Sequence, residues 1–226
     1  HPKITAAELD LIESNQMDEK PDEPPSIRKM LGSISVWAII VSHFCSNWGG
    51  YVLLSWMPTY ISEGLGVDFA AVGMFTMIPA MASFLFMNVA GWVTDRLISS
   101  GMNVTFVRKL MQTIGFGGGA MVLAVVGYVQ SVPMAIALMS FGNMVGAFAL
   151  GGWGTNHMDI APRHAGTLMG LSNTAGTVPG IIGVYVSGLI LQATNSWVLV
   201  FQTAAAVYIF GLIFFLVFGS AEKEFD

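Results

Sequence analysis

The 226 residues are 54% hydrophobic and only 10% charged, with a mean hydropathy of +0.66; a chain this poor in charge lacks the polar groups to cover a water-facing surface, which excludes an ordinary soluble domain. The formal charge of −5 resides in residues 1–27, which hold seven acids and two lysines; the remainder is balanced and carries no basic stripe, which excludes nucleic acid as a partner. The single cysteine, Cys45, excludes a disulfide framework and a CxxC metal site.

In chain order, the first predicted element lies within residues 1–29. "TAAE" at 5–8 reads as a capping box, with Thr5 at the N-cap and Glu8 at N3, and predicts a short helix to about Ser14. "KPDEPP" (20–25) then breaks the chain into a solvated linker. Beginning at His1 without initiator methionine, signal peptide or transit peptide, the sequence reads as a chain whose start lies elsewhere.

Cutting at every Asp, Glu, Lys and Arg leaves four long uncharged stretches, 30–62, 69–94, 110–158 and 164–221. A spanning helix needs about 17–25 residues, so the first two fit one span each. The third and fourth are too long for one helix and are interrupted by "YVQSVP" (128–133) and "QATNSW" (192–197). The fold class predicted is therefore all-α, a six-helix membrane bundle over 30–221. Its helices run roughly 34–60, 69–94, 109–128, 133–157, 164–191 and 197–219, with a short tail at 222–226. Arg28, Lys29, Arg96, Arg108, Lys109, Arg163 and Lys223 fall on the side of the two termini, and the opposite loops near 61–68, 129–132 and 192–196 hold Glu63 and Asp68 but no Lys or Arg. The bias predicts termini and the loops 95–108 and 158–163 on the cytoplasmic side, or its topological equivalent in an organelle.

No full charge lies within a predicted span, so polar residues at depth carry the functional signal. Asn47, Asn143 and Asn173 fall at about one depth on three helices, which predicts a polar cavity near the midplane rather than three separate interhelical hydrogen bonds. His43, Asn47, Tyr51 and Ser55 recur every four residues on one helix face; Asn143, Trp153 and His157 share a face of another. His43 and His157 are the only deep candidates for proton exchange. Glycines are dense at 115–119, 146–154 and 166–183, spacings that let helix backbones approach closely or slide.

Catalysis is not expected. "GLSN" (170–173) lacks the second glycine of a rhomboid-type Gly-x-Ser-Gly nucleophile, and no histidine follows His164. "HMD" (157–159) offers too few ligands for a metal, and no glycine run precedes the Lys-Ser/Thr of a P-loop. No cofactor is implied.

Two sets of residues carry a family resemblance. "GWVTDR" (91–96) resembles the G-x-x-x-D-R signature of major facilitator transporters. "NWGGYVLLSWMPTYISEGLG" (47–66), "VRKLMQTIGF" (107–116), "NHMDIAPRHAGTLMGLSNTAGTVPG" (156–180) and "FGSAEKE" (218–224) resemble the anion:cation symporter family, the group of sialin, the vesicular glutamate transporters and the plant phosphate/anion transporters. The resemblance implies the C-terminal half of a twelve-helix fold, with residues 1–29 ending the loop that joins the halves. It implies a small anionic substrate, Na⁺ or H⁺ as coupling ion, and an N-terminal six-helix half as partner in the bilayer. It also implies roles: Asp95, Arg96, Asp159 and Arg163 at the cytoplasmic gate, Tyr51 facing substrate, and Trp153, Asn156 and Asn173 toward the path. Where the glutamate carriers place an arginine after "FC", this chain has Ser46, which fits the phosphate/anion branch better. The alternative expectation is a non-transporting accessory subunit packed into a larger membrane complex. Plasma, vesicular and plastid membranes remain open at this stage.

Overall fold

The computed structural model describes residues 4–15 and 25–225. Among these, every regular element is helical. Helix α1 (Ala6–Asn15) starts where the capping box predicts, the Glu8 amide donating to Thr5 Oγ1 at 3.3 Å. The linker expected at 20–25 falls almost wholly outside the described residues. The short α2 (Ile27–Leu31) leads into α3 (Ile34–Thr59), each capped by a serine hydroxyl, Ser26 and Ser33.

Six long rods follow from the six apolar runs. They are α3; α4 (Phe69–Ser99); α5 (Val104–Gln112) continuing into α6 (Gly118–Val126); α7 (Val132–Gly146) continuing into α8 (Thr155–Ile160); α9 (Ala165–Thr194); and α10 (Trp197–Phe218). Five of them are long and apolar enough to cross a membrane, at Phe69–Ser99, Val104–Val126, Val132–Ile160, Ala165–Thr194 and Trp197–Phe218. The rod below that hydropathy is α3, 26 residues long, because His43, Asn47 and several serines interrupt its apolar surface.

The helix ends depart from the sequence expectation in one place. The loop expected at 95–108 shrinks to 100–103, so Asp95 and Arg96 lie within α4, and Arg108 and Lys109 within α5. A charge inside a helix end can sit in water, as Asp95 and Arg96 do, or pair with another charge, as Arg108 does with Asp159, so it does not mark where the helix stops. The new boundary is set by Gly101 at φ 90° and by Asn103, whose side-chain oxygen accepts from the Phe106 amide at 3.0 Å.

Helix α3 is the hub. It packs along α9 and α10, while α4 touches the bundle mainly through α7 and leaves most of its length exposed. The α3–α9 seam is a row of large side chains over glycines. Tyr51, Trp48 and Trp56 lie over Gly180, Gly183 and Gly188, where an added Cβ would stand 3.2, 3.1 and 3.0 Å from those rings. Trp56 Nε1–H also donates to the Val184 carbonyl at 3.2 Å. The expected small-residue packing is thus realised, with each glycine seating one large ring.

Three π-helical turns interrupt the rods, Tyr60–Gly64, Thr113–Gly117 and Leu150–Gly154. Such turns shift the hydrogen-bond ladder and release carbonyls for other donors. The first brings Tyr60 into an aromatic cluster with Trp197 and Phe201, and its hydroxyl lies 3.0 Å from the Val126 carbonyl. At the opposite end the C-terminal tail crosses beneath the bundle. The amides of Glu224 and Phe225 both donate to the Ile160 carbonyl at 2.9 Å, and the Ala221 amide donates to Thr105 Oγ1 at 2.9 Å. The Ser33 hydroxyl donates to the Glu224 carboxylate, and Phe225 is buried in the cluster of Met30, Ile160 and Leu168.

Candidate functional site

Three polar constellations lie along α3, α7–α8 and α9. The first is a cavity of about 250 Å³ between α3, α4, α6, α7 and α10. Its polar lining is Ser46, Asn47, Ser83, Asn143 and Tyr208, and its floor contains Gly50, Gly119, Gly142 and Gly146. A second hollow continues from Gly50 and Asn143 past Thr76 and Pro79. Neither lining includes an ionised side chain, so a bound anion would be held by hydrogen-bond donors alone. Asn47 is held in place by its own amide, which donates to the Gly176 carbonyl of α9 at 2.7 Å. Asn143 donates to the Met139 carbonyl one turn back at 3.0 Å. Of the three asparagines read at one depth, Asn47 and Asn143 line this space, while Asn173 lies exposed on the outer face of α9. Tyr51 is half-buried over Gly180.

The second constellation is buried. His43 Nδ1 stands 3.1 Å from Ser172 Oγ, and His157 Nε2 stands 2.8 Å from the same oxygen. His157 Nδ1 lies 3.0 Å from the Gly154 carbonyl. Trp153 packs against the His43 ring, tilted by 32° with centroids 4.3 Å apart. Trp153 and Asn156 therefore do not line the cavity; both are buried, and neither the Trp153 indole nitrogen nor the Asn156 amide has a protein partner among the described residues.

The third constellation is an ion pair at the end where the tail crosses. Arg108 and Asp159 make a two-pronged contact, Nε to Oδ2 at 2.7 Å and Nη2 to Oδ1 at 3.0 Å. The remaining Arg108 nitrogen, Nη1, donates to the Gly151 carbonyl at 3.0 Å. The guanidinium fork matches the carboxylate in plane and direction, a geometry lysine cannot reproduce. Of the four expected gate residues, Asp159 thus enters an ion pair, with Arg108. Asp95 and Arg96 are exposed at the end of α4 and form no ion pair among the described residues.

Sequence reasoning missed Arg108 and Ser172. Arg108 was counted only as a cation setting orientation. The available signal was its position one turn before Gln112 in "VTFVRKLMQ", on the face that buries Val107 and Met111. Ser172 was weighed only as a failed nucleophile; its place one turn before Gly176 on the buried face of α9 was the usable clue.

Gly176 ties the first two constellations together. A Cβ there would stand 2.8 Å from His43 Cδ2 and 3.0 Å from both His43 Nε2 and Asn47 Nδ2. Gly176→Ala is therefore expected to displace both side chains and cost about 1–3 kcal/mol of stability. Gly170→Ala on the same helix, where a Cβ meets nothing within 4 Å, serves as the neutral comparison in a thermal melt of the purified protein. Equal melting of the two variants would show that the seam relaxes freely.

Comparison with known proteins places the chain in a family. The family described as Major Facilitator Superfamily matches residues 7–184. The chain is 41% identical over 210 residues to the chloroplastic ascorbate transporter of Arabidopsis thaliana, covering 92% of this chain and 39% of that protein. It is 40% identical over 225 residues to the chloroplastic sodium-dependent phosphate transport protein 1 of Arabidopsis thaliana, covering 100% of this chain and 44% of that protein. The chain thus spans about two fifths of the length of the curated relatives it matches.

Proposed function

We propose that this chain, which belongs to the Major Facilitator Superfamily, is the C-terminal half of a secondary transporter for inorganic phosphate or a small organic anion. The transporter is coupled to Na⁺ or H⁺, and its two halves rock about a shared midplane site. The observation that carries this reading is the cavity of about 250 Å³ with Asn47 and Asn143 on facing helices and no charged lining. Amide and hydroxyl donors in such a space orient an anion, while an N-terminal six-helix half supplies the countercharge. The names of the relatives support a small anion as cargo and a plastid membrane as the location. The cation bias supports termini on the cytoplasmic side or its equivalent.

Within this reading Asn47 and Asn143 face the substrate from α3 and α7, and Tyr51, over Gly180 of α9 and outside the cavity lining, belongs to the path between the halves. Asn173, exposed on α9, belongs to the surface that meets the N-terminal half or the path between the halves. Arg108 and Asp159 close the cytoplasmic end, with Asp95, Arg96 and Arg163 completing the closure against the other half.

The test is uptake of [³²P]orthophosphate and of labelled ascorbate by the complete transporter in proteoliposomes. Asn47→Ala combined with Asn143→Ala is expected to lower kcat/KM at least about tenfold, the equivalent of about 1.4 kcal/mol. Saturable uptake unchanged by the double substitution would overturn the site. Absence of uptake, together with copurification of a six-helix polypeptide in a larger complex, would replace the reading with that of an accessory subunit.

A further inference from the structure

We propose that His43, Ser172 and His157 form a one-proton relay that joins the substrate cavity to the Arg108–Asp159 latch. The inference rests on the transport reading and deepens it, because it names H⁺ as the coupling ion and assigns its site.

The hydrogen bonds fix a direction. The Gly154 carbonyl accepts only, so His157 Nδ1, 3.0 Å away, carries a proton. In the neutral ring the other nitrogen, Nε2, is then an acceptor; the Ser172 hydroxyl has this nitrogen at 2.8 Å and the Met169 carbonyl at 3.1 Å within reach, and in the relay it gives its proton to the nearer one. The Ser172 oxygen, having given its hydrogen to His157, accepts at 3.1 Å from His43 Nδ1–H. That leaves His43 Nε2 as the bare nitrogen. It sits beside the Asn47 amide, both within 3.0 Å of the point above Gly176, and Asn47 lines the cavity. The neutral chain therefore runs His43 to Ser172 to His157 to Gly154, with its open end beside Asn47, the residue that lines the cavity.

A proton arriving at His43 Nε2 is balanced along this line. The Nδ1 proton of His43 passes to Ser172 Oγ, and the Ser172 hydroxyl proton passes to His157 Nε2. One proton enters, each transfer breaks one bond to hydrogen and forms one, and a single positive charge ends on His157. Ser172 then turns its hydroxyl to the Met169 carbonyl, which lies 3.1 Å away, and its oxygen accepts from His157 Nε2–H. Trp153, tilted by 32° against His43 with ring centroids 4.3 Å apart, places its π system beside the ring while that ring is charged.

The surroundings suit a site that must load and unload. Ser172 and Trp153 face His43, from α9 and from the π turn; Ser172 and the Gly154 carbonyl face His157. Cys45, two residues along α3, is turned to Gly211 of α10, and Tyr208 of α10 lies against Gly49. Asp159 is taken by Arg108, and His164 stands apart at the start of α9. No Asp, Glu, Lys or Arg side chain bonds either ring among the described residues, so no fixed charge traps the proton. The far end lies on the same π turn as the latch: Gly154 accepts from His157, and Gly151 accepts from Arg108. Charge reaching His157 therefore appears two residues from Asp159, next to the segment that holds the gate.

The relay is tested first without transport, by ¹⁵N NMR of the complete transporter in lipid nanodiscs with labelled histidine. Both His43 and His157 are expected as neutral Nδ1–H tautomers, against the Nε2–H form that free imidazole side chains prefer, and they should titrate together. Ser172→Ala should uncouple the two titrations. Nε2–H at either ring in the unaltered protein would overturn the proposal, and this outcome needs no variant to fold. In proteoliposomes Ser172→Ala should lower phosphate uptake driven by a pH gradient at least tenfold, with Ser172→Thr restoring it. A pH-driven uptake indifferent to Ser172→Ala would equally overturn the relay. The expected tautomers in a protein that moves no anion would instead defeat the transport reading and leave the proton site standing.

Discussion

Arg108→Ala is expected to loosen the end of the bundle where the tail crosses and to cost about 3 kcal/mol, the low end of the range for breaking a buried ion pair. The loss has two parts. Asp159 keeps its carboxylate in a site where its side chain is only 16% exposed, with both short contacts gone. The Gly151 carbonyl loses its donor as well. Arg108→Lys should recover part of the loss, because it restores the charge but not the two-pronged geometry. The exchange Arg108→Asp with Asp159→Arg should recover more than either single change. Thermal denaturation in detergent reads the stability, and uptake by the complete transporter should fall at least about tenfold, the equivalent of about 1.4 kcal/mol. Wild-type stability and uptake in Arg108→Ala would mean that the pair closes nothing.

Gly115→Val is expected to abolish the folded protein. Gly115 lies in the π turn after α5, and the chain at Ala149, beside the π turn Leu150–Gly154, presses on it. A Cβ at 115 would stand 2.5 Å from the Ala149 nitrogen, 2.6 Å from its Cβ and 2.8 Å from its Cα. Backbone cannot swing aside as a flexible side chain does, so the cost should exceed the usual 1–3 kcal/mol of overpacking. Gly146→Val provides the contrast for bulk, since a Cβ there meets nothing within 4 Å. Monodispersity on size-exclusion chromatography checks both. A well-behaved Gly115→Val protein would show that the two rods can separate without loss.

These two sites mark where sequence reading stops. The six helices were legible because lipid imposes a long apolar run on each, and the runs are separated by charge, proline or a polar turn. Asn47 was legible because His43, Asn47 and Tyr51 repeat every four residues. The pairing of Arg108 with Asp159 was not, since it joins helices 51 positions apart and no local spacing encodes it. The three π turns were equally hidden; they arise where close packing, as at Gly115 against Ala149, competes with the helical ladder. The family resemblance implies Trp153 and Asn156 toward the path. Their burial follows from the π turn that rotates this stretch inward between α3 and α5.

The crossing tail has a consequence for biogenesis. The Ile160 carbonyl ends α8 one residue beyond Asp159, and its donors are the amides of Glu224 and Phe225. A ribosome releases those amides long after α8 has entered the bilayer, so this helix terminus stays hydrated while α9 and α10 are being made. The seam between Met30, Ile160 and Phe225 seals only when translation has passed Phe225. Closure of this end of the bundle is thereby tied to synthesis of residues 221–225, and a nascent chain stalled before Glu224 presents quality-control machinery with an unsealed underside.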